Sequence, residues 1–300
     1  MGFIHTHLGE FAALLTAFFW TVTSLAFESA SRRIGSLTVN IIRLILALGF
    51  LTIYNLFTRG LAFPTDASSF NWFWLSLSGL IGFVFGDFFL LKSYTVIGSR
   101  FSMLIMTLVP PLTALFGWIM IGEKLTLFHL LGMALTFIGI ALAIFSRTEK
   151  NLKLTLKLAP AGILFALGGA LGQALGLVLS KIGLKDYNPF AATQIRIISG
   201  MVGFALIVTL MSRWGKVRAA LHDKRGMQAT TIGAFFGPFL GVSFSLIAIK
   251  YTEAGIASTI MALVPVLIIP PAVILYKQKV TIAEIAGAII SVGGVAVFFM

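Results

Sequence analysis

Three charged side chains lie inside long apolar stretches of the sequence. Asp87 stands in a phenylalanine-rich run, and Arg43 and Arg196 each lie early in another apolar stretch. A charge in the hydrocarbon core of a bilayer costs about 3 kcal/mol, so it usually faces the protein interior or a water-filled cavity. Asp87 is therefore a candidate proton-coupling site or counter-charge for a substrate amine. A fixed ion pair with Arg43 is the alternative interpretation.

The two arginines occupy equivalent positions, 153 residues apart, in two similar halves of the chain. Their symmetry favours a structural role for Arg43 and Arg196, such as pairing with acidic groups or binding carbonyls at a helix end. Binding of a phosphate or carboxylate is the sharper alternative, because a guanidinium matches both groups bidentately. The equivalent of Asp87, at an offset of 155, is Val242, so symmetry does not account for this acid.

Polar and aromatic residues recur at helical spacing on equivalent apolar stretches. We predict that they line a substrate cavity near the middle of the bilayer, where the two halves meet. Bonding of each Ser or Thr to its own helix is the alternative. The predicted substrate-binding residues are Trp20, Ser24, Asn40, Asp87, Met103, Thr107, Gln173, Thr193 and Ser258.

Two equivalent prolines lie inside apolar stretches. Pro110 and Pro265 each remove a backbone donor and favour a kink. We therefore predict that this pair forms a hinge.

The motifs of common enzymes are absent. The sequence has no phosphate-binding loop ending in Gly-Lys-Ser/Thr, no His-Glu-x-x-His and no Gly-x-Ser-x-Gly. It contains no cysteine, which excludes thiolate metal sites and cysteine nucleophiles. We therefore expect no enzymatic activity, no metal and no cofactor.

The elements that must position these residues are membrane-spanning helices. Of the 300 residues, 58% are hydrophobic and 11% are charged, far from the roughly 25% charged residues of a soluble domain. About 20 apolar residues are needed to cross the hydrocarbon core as a helix. The ten predicted spans are 9–29, 37–57, 70–91, 101–121, 127–146, 159–181, 189–211, 228–249, 255–276 and 280–299.

The sequence is an internal duplication. Residues 93–139 resemble residues 248–294 at a constant offset of 155. We predict two five-helix repeats, residues 1–150 and 151–300. Because five is an odd number, the second repeat must enter the membrane from the opposite face. The predicted fold is an all-α polytopic membrane protein of ten transmembrane helices in two inverted repeats.

The net charge of +12 resides mostly in short loops, where basic residues orient a membrane protein. We therefore expect contact with a lipid bilayer and none with nucleic acid. Loops after odd-numbered spans hold 15 of the 20 Lys and Arg outside the spans. This bias places both termini outside the cytoplasm.

A set of motif residues recurs in both halves. In the first half they are Phe19-Trp20, Arg43, Tyr94, Val109-Pro110, Gly122 to Thr126, Gly132 and Gly139. In the second half they are Arg196, Ala254 to Pro265, Lys279 to Thr281, Gly287 and Gly294. Through these residues each half resembles an EamA-type unit of the drug/metabolite transporter superfamily. The resemblance implies amino-acid exporters and, against the charge bias, cytoplasmic termini.

We therefore expect a secondary transporter that exports small metabolites by alternating access through a central cavity. Amino acids or related amphipathic compounds are what the resemblance implies. The alternatives are a passive channel or facilitator, and a transporter of a small phosphorylated or carboxylated anion. The expected partners are a small-molecule substrate and lipid, the expected state is a monomer or homodimer, and the expected location is a prokaryotic inner (plasma) membrane.

Overall fold

The computed structural model describes residues 6–148, 160–267 and 281–297. Within these ranges all regular secondary structure is helical. The α-helices are α1 (Leu8–Ile34), α2 (Ser36–Arg59), α3 (Ser69–Gly79), α4 (Phe88–Met106), α5 (Val109–Ile121), α6 (Leu127–Thr148), α7 (Pro160–Leu184), α8 (Pro189–Leu210), α9 (Trp214–Ala220), α10 (Lys224–Ala234), α11 (Val242–Tyr251), α12 (Ala254–Met261), α13 (Val264–Leu267) and α14 (Ile282–Ala296).

Two π-helical stretches join α-helices into longer rods. Leu80–Asp87 links α3 to α4, and Phe235–Gly241 links α10 to α11. π-Helical turns are rare and are often found at functional sites. The first of them ends at Asp87, and the second lies 155 residues later in the chain.

In the part of the chain that the structure describes, six helical stretches are long and apolar enough to cross a bilayer, and three shorter apolar helices accompany them. In a helix every backbone polar group is satisfied within its own segment, as lipid requires. The predicted all-helical membrane character is thus confirmed, and the count of ten spans stays a prediction. The six long stretches are Leu8–Ile34, Ser36–Arg59, Ser69–Ile97, Pro160–Leu184, Pro189–Leu210 and Lys224–Tyr251.

The chain bends sharply inside α4. The predicted spans 70–91 and 101–121 left a short turn between them, at 92–100, whereas the backbone stays helical there. The hydroxyls of Ser93 and Ser102 nevertheless lie 2.7 Å apart. Nine residues of straight helix would separate them by roughly 13.5 Å along the axis. The helix therefore bends between these serines. The bend connects the third predicted span, 70–91, to the fourth, 101–121.

Helix breaks also repeat at the offset of 155. The backbone leaves the helix at 107–108 and again at 262–263, and in each case a new helix begins one residue before a proline. Pro110 and Pro265 thus occupy the second position of α5 and α13. A backbone N–H at this position makes no hydrogen bond within the helix, so a proline there costs none. The kinks expected at these prolines are full breaks of the helix.

The two halves pack on each other reciprocally. Helix α1 packs against α10, the second π stretch and α11, while α7 packs against α3, the first π stretch and α4. Each of these three contacts of one half thus has its counterpart in the other.

Helices α6 and α14 show the same reciprocity at residue level. A Cβ built on Gly139 would lie 2.3 Å from Ser291 N, and one on Gly294 would lie 2.5 Å from Thr136 N. Gly139 and Gly294 are repeat partners, and so are Thr136 and Ser291. This contact has the form of a two-fold interface.

Candidate functional site

A cavity of about 150 Å³ lies between the helices of the two halves. Its walls are largely apolar and aromatic, with a few polar groups, as small-molecule sites usually are. Seven of the predicted substrate-binding residues line it, and so do both arginines. These residues are Trp20, Ser24, Asp87, Met103, Thr107, Gln173 and Ser258, together with Arg43 and Arg196.

The other two predicted substrate-binding residues lie away from the cavity wall. Asn40 is fully buried, and Thr193 donates a hydrogen bond of 2.9 Å to the carbonyl of Pro189 in its own helix. Each lies one helical turn before an arginine that does reach the cavity. Residues three apart share a helix face but differ in depth, and only the longer side chain reaches the cavity.

The cavity serines also bond to their own helices, which was the alternative interpretation for such residues. Ser24 donates to the carbonyl of Thr21 at 3.0 Å, and Ser258 donates to that of Gly255 at 3.1 Å. Their hydroxyl oxygens remain available as acceptors.

Asp87 is held by two side chains on separate helices. Arg43 Nη2, from α2, donates to Asp87 Oδ2 at 2.5 Å, and Gln173 Nε2, from α7, donates to Asp87 Oδ1. Only 5% of the Arg43 side chain and 10% of the Asp87 side chain are exposed. A buried ion pair needs such geometry to offset the loss of hydration. Gln173 belongs to the second half of the chain, so this cluster joins the two halves.

Arg196 has no comparable partner. It is 5% exposed, and its guanidinium lies 5.0 Å from the centroid of the Phe83 ring. Within the described part of the chain, no side-chain hydrogen bond or salt bridge reaches it, and its buried Nε has no acceptor. One of the two equivalent arginines is therefore ion-paired and the other is not.

A second polar cluster joins helices at the end of the bundle where α7 ends. Glu123 Oε1 accepts a hydrogen bond of 2.6 Å from Lys181 Nζ, and both Glu123 oxygens accept from Ala254 N, at 3.0 and 3.1 Å. Lys181 also donates to the carbonyl of Thr252 at 2.7 Å. We call these four residues the Glu123 cluster. It satisfies the free N–H at the start of α12 and binds three segments together.

Sequence reasoning did not assign the Glu123 cluster. Glu123 entered only as part of a recurring motif, although the chain has just ten acidic residues and the repeat partner of Glu123 is Gln278. The sequence did offer a sign of this site, because Glu123, like Asp87, is an acidic residue whose repeat partner is not acidic.

At the opposite end of the bundle, Asp223 connects the start of α10 to the end of α1. It accepts from Gly226 N at 2.9 Å at the start of α10 and from Arg33 at 3.3 Å at the end of α1. The hydrogen bond from Gly226 and the neighbouring Arg33 hold the pKa of Asp223 below its usual value. One pocket at this end is lined by Asp223 together with Arg33, Lys92, Arg213 and Lys216.

Apolar helices around a cavity that contains buried charges form the architecture of integral membrane proteins that carry solutes. The chain belongs to the EamA-like transporter family, whose model matches residues 7–145 and 160–300. It is therefore a membrane transporter.

Two further proteins are similar to this chain. The chain is 28% identical over 253 residues to the uncharacterized transporter YyaM of Bacillus subtilis (strain 168), covering 83% of this chain and 80% of the relative. A crystal structure of a protein with 18% sequence identity superposes with a TM-score of 0.71 and covers 98% of this chain and 96% of the other. The second likeness shows a shared fold.

Proposed function

We propose that the protein is a secondary transporter that exports small amphipathic metabolites across a prokaryotic inner membrane. Amino acids are the class that the family resemblance favours. The observation that carries the proposal is the central cavity, whose lining residues come from both halves of the chain. Its few polar groups would orient a ligand, and its apolar walls would bury the rest of it.

Alternating access is the mechanism that these features support. Two halves related by inversion can rock about a site between them. The breaks before Pro110 and Pro265 provide equivalent flexible points, and the Glu123 cluster provides contacts that can close one end. Transport then requires that these contacts open when the cavity is exposed to that side.

Counterflow in proteoliposomes tests the proposal. Vesicles loaded with an unlabelled mixture of amino acids and small monocarboxylates should accumulate the labelled form of a transported compound from outside, because a carrier exchanges one molecule for another. A passive channel would equilibrate the label without accumulation and would contradict the proposal.

A matched pair of tryptophan variants tests whether the substrate passes through this cavity. Met103→Trp places a larger ring in the cavity and should abolish exchange. Leu206→Trp changes a side chain that is 59% exposed on the outer surface of α8 and should leave exchange unchanged. Equal exchange in both variants would exclude this cavity as the route.

A further inference from the structure

The cavity carries an excess positive charge. The only Arg, Lys, Asp or Glu residues in its lining are Arg43, Arg196 and Asp87, whose formal charges add up to +1. Asp87 is already in contact with Arg43 and Gln173. The charge of Asp87 also acts on Arg196 at longer range, but Arg196 is the arginine that has no carboxylate of the described residues in contact with it.

The internal repeat explains why Arg196 lacks an acid. Arg43 and Arg196 are repeat partners, and the residue equivalent to Asp87 is Val242, which also lines the cavity. The second half thus repeats the arginine without its carboxylate. A buried charge without a partner is costly, so its retention in a cavity points to a partner that arrives with the ligand.

The surroundings of Arg196 define the rest of the ligand. The same cavity is lined by Trp20, Phe27, Phe83, Met103 and Met106, and its volume suits a small apolar body. Arginine binds a carboxylate through two parallel hydrogen bonds. A ligand ammonium would have to compete with Arg43 for Asp87.

We propose that the cavity binds a small organic monoanion, with its carboxylate on Arg196 and its apolar body against the aromatic and methionine side chains. The proposal rests on the proposed function in taking this cavity as the transport site. It narrows the small amphipathic metabolites of the proposed function to monocarboxylates, which the cavity would prefer over zwitterionic amino acids, neutral analogues and cations.

Ligands with one apolar body and different charges test the proposal. Binding of 3-phenylpropanoate, 3-phenylpropanamide, phenylalanine and 3-phenylpropylamine to the purified full chain is measured by calorimetry and thermal shift. Hexanoate and hexanamide repeat the comparison with a second body. The two carboxylates should bind at least about tenfold more tightly than the other compounds, as expected when a buried charge pair is completed. Equal affinities, no carboxylate binding, or equal stabilisation by excess chloride would overturn it.

Two variants separate the role of Arg196 from a structural one. Arg196→Gln should lose the preference for carboxylates while the ligand-free protein keeps or gains thermal stability, because an unpaired buried charge is removed. Val242→Asp supplies an internal carboxylate and should also lose carboxylate binding, whereas the matched neutral variant Val242→Asn should retain it. Unchanged carboxylate preference in both Arg196→Gln and Val242→Asp would contradict the proposal.

These binding measurements are independent of counterflow. Exchange of a neutral solute without carboxylate binding would contradict the proposed ligand class and would still support the transporter function. Carboxylate binding without exchange of any solute would contradict the transporter function and leave the proposed ligand class intact.

Discussion

At the scale of single residues, Asp87 has two candidate roles, a structural ion pair and a proton-coupling site. Its two oxygens contact Arg43 and Gln173, which lie on helices of different halves. These contacts support a structural ion pair that joins the halves. Proton coupling remains a prediction, because a carboxylate beside a cavity can exchange a proton when its partners move.

Replacement of the Asp87 carboxylate separates the two roles. As a structural partner, Asp87→Asn should lower stability by about 3–5 kcal/mol, because it leaves Arg43 buried without a counter-charge. Thermal unfolding in detergent should show the loss, counterflow should fall with it, and Asp87→Asn combined with Arg43→Gln should recover stability. A stable Asp87→Asn that retains counterflow but loses proton-driven accumulation would instead establish the coupling role.

At the scale of elements, glycines determine how closely α7 approaches the first π-helical stretch. A Cβ built on Gly172 would lie 2.5 Å from Gly86 Cα, and one on Gly176 would lie 2.9 Å from Gly82 Cα. Small residues at this spacing allow two backbones to touch. The contact fixes the position of Asp87 against Gln173.

A glycine pair tests this packing. Gly172→Ala should destabilise the protein by about 1–3 kcal/mol, since the added methyl group overlaps backbone atoms of Gly86. The matched control is Gly49→Ala in the interior of α2, where nothing lies within 4 Å of the new Cβ. There the change should be neutral or stabilising by up to about 1 kcal/mol, from helix propensity alone. Similar melting temperatures for the two variants would argue against tight packing at Gly172.

The Glu123 cluster is the second element-scale device, because one carboxylate holds the start of α12 and Lys181 together. Glu123→Gln keeps an acceptor for Ala254 N but removes the charge, so the closed arrangement should weaken by about 1.5–3 kcal/mol. A cysteine at Ser258 should then react faster with a small polar thiol reagent. The neighbouring exposed Lys124→Gln should leave the rate unchanged. Equal rates in the two variants would show that the cluster does not hold this end closed.

At the scale of the whole molecule, the duplicated chain packs as two reciprocal halves. The first helix of each half, α1 or α7, contacts the third long rod of the other half, and α6 contacts α14 through repeat-related glycines. Such packing supports a two-fold axis between the halves. In an inverted repeat that axis lies in the membrane plane.

Single cysteines in this cysteine-free chain test the inversion. Ser69 and Lys224 begin α3 and α10, are 155 residues apart and are exposed. Cysteines at these two positions should react with an impermeant reagent from opposite sides of sealed vesicles. Reaction of both from the same side would contradict the inverted repeat, and the side at which Ser69→Cys reacts would also settle the orientation of the termini.

Much of this architecture is already determined by the sequence. Apolar length and composition predict helices in lipid, because the backbone has no other way to satisfy its polar groups there. The offset of 155 predicts that the two halves repeat the same interruption at Pro110 and Pro265, although a kink was expected where the structure has a break. The rarity of charge singles out Asp87 as a cavity residue and Arg43 and Arg196 as interior residues, which were predicted to be structural.

Only the tertiary structure decided which of these groups meet. Local periodicity gives the faces of a helix but not its rotation and depth relative to its neighbours. For that reason Arg43 and not Arg196 was found on Asp87, and Asn40 and Thr193 lie one turn short of the cavity. The bond from Ala254 N to Glu123 spans 131 residues, a separation over which no local pattern acts. Packing of helices in three dimensions fixed these contacts, and with them the unpaired charge of the cavity.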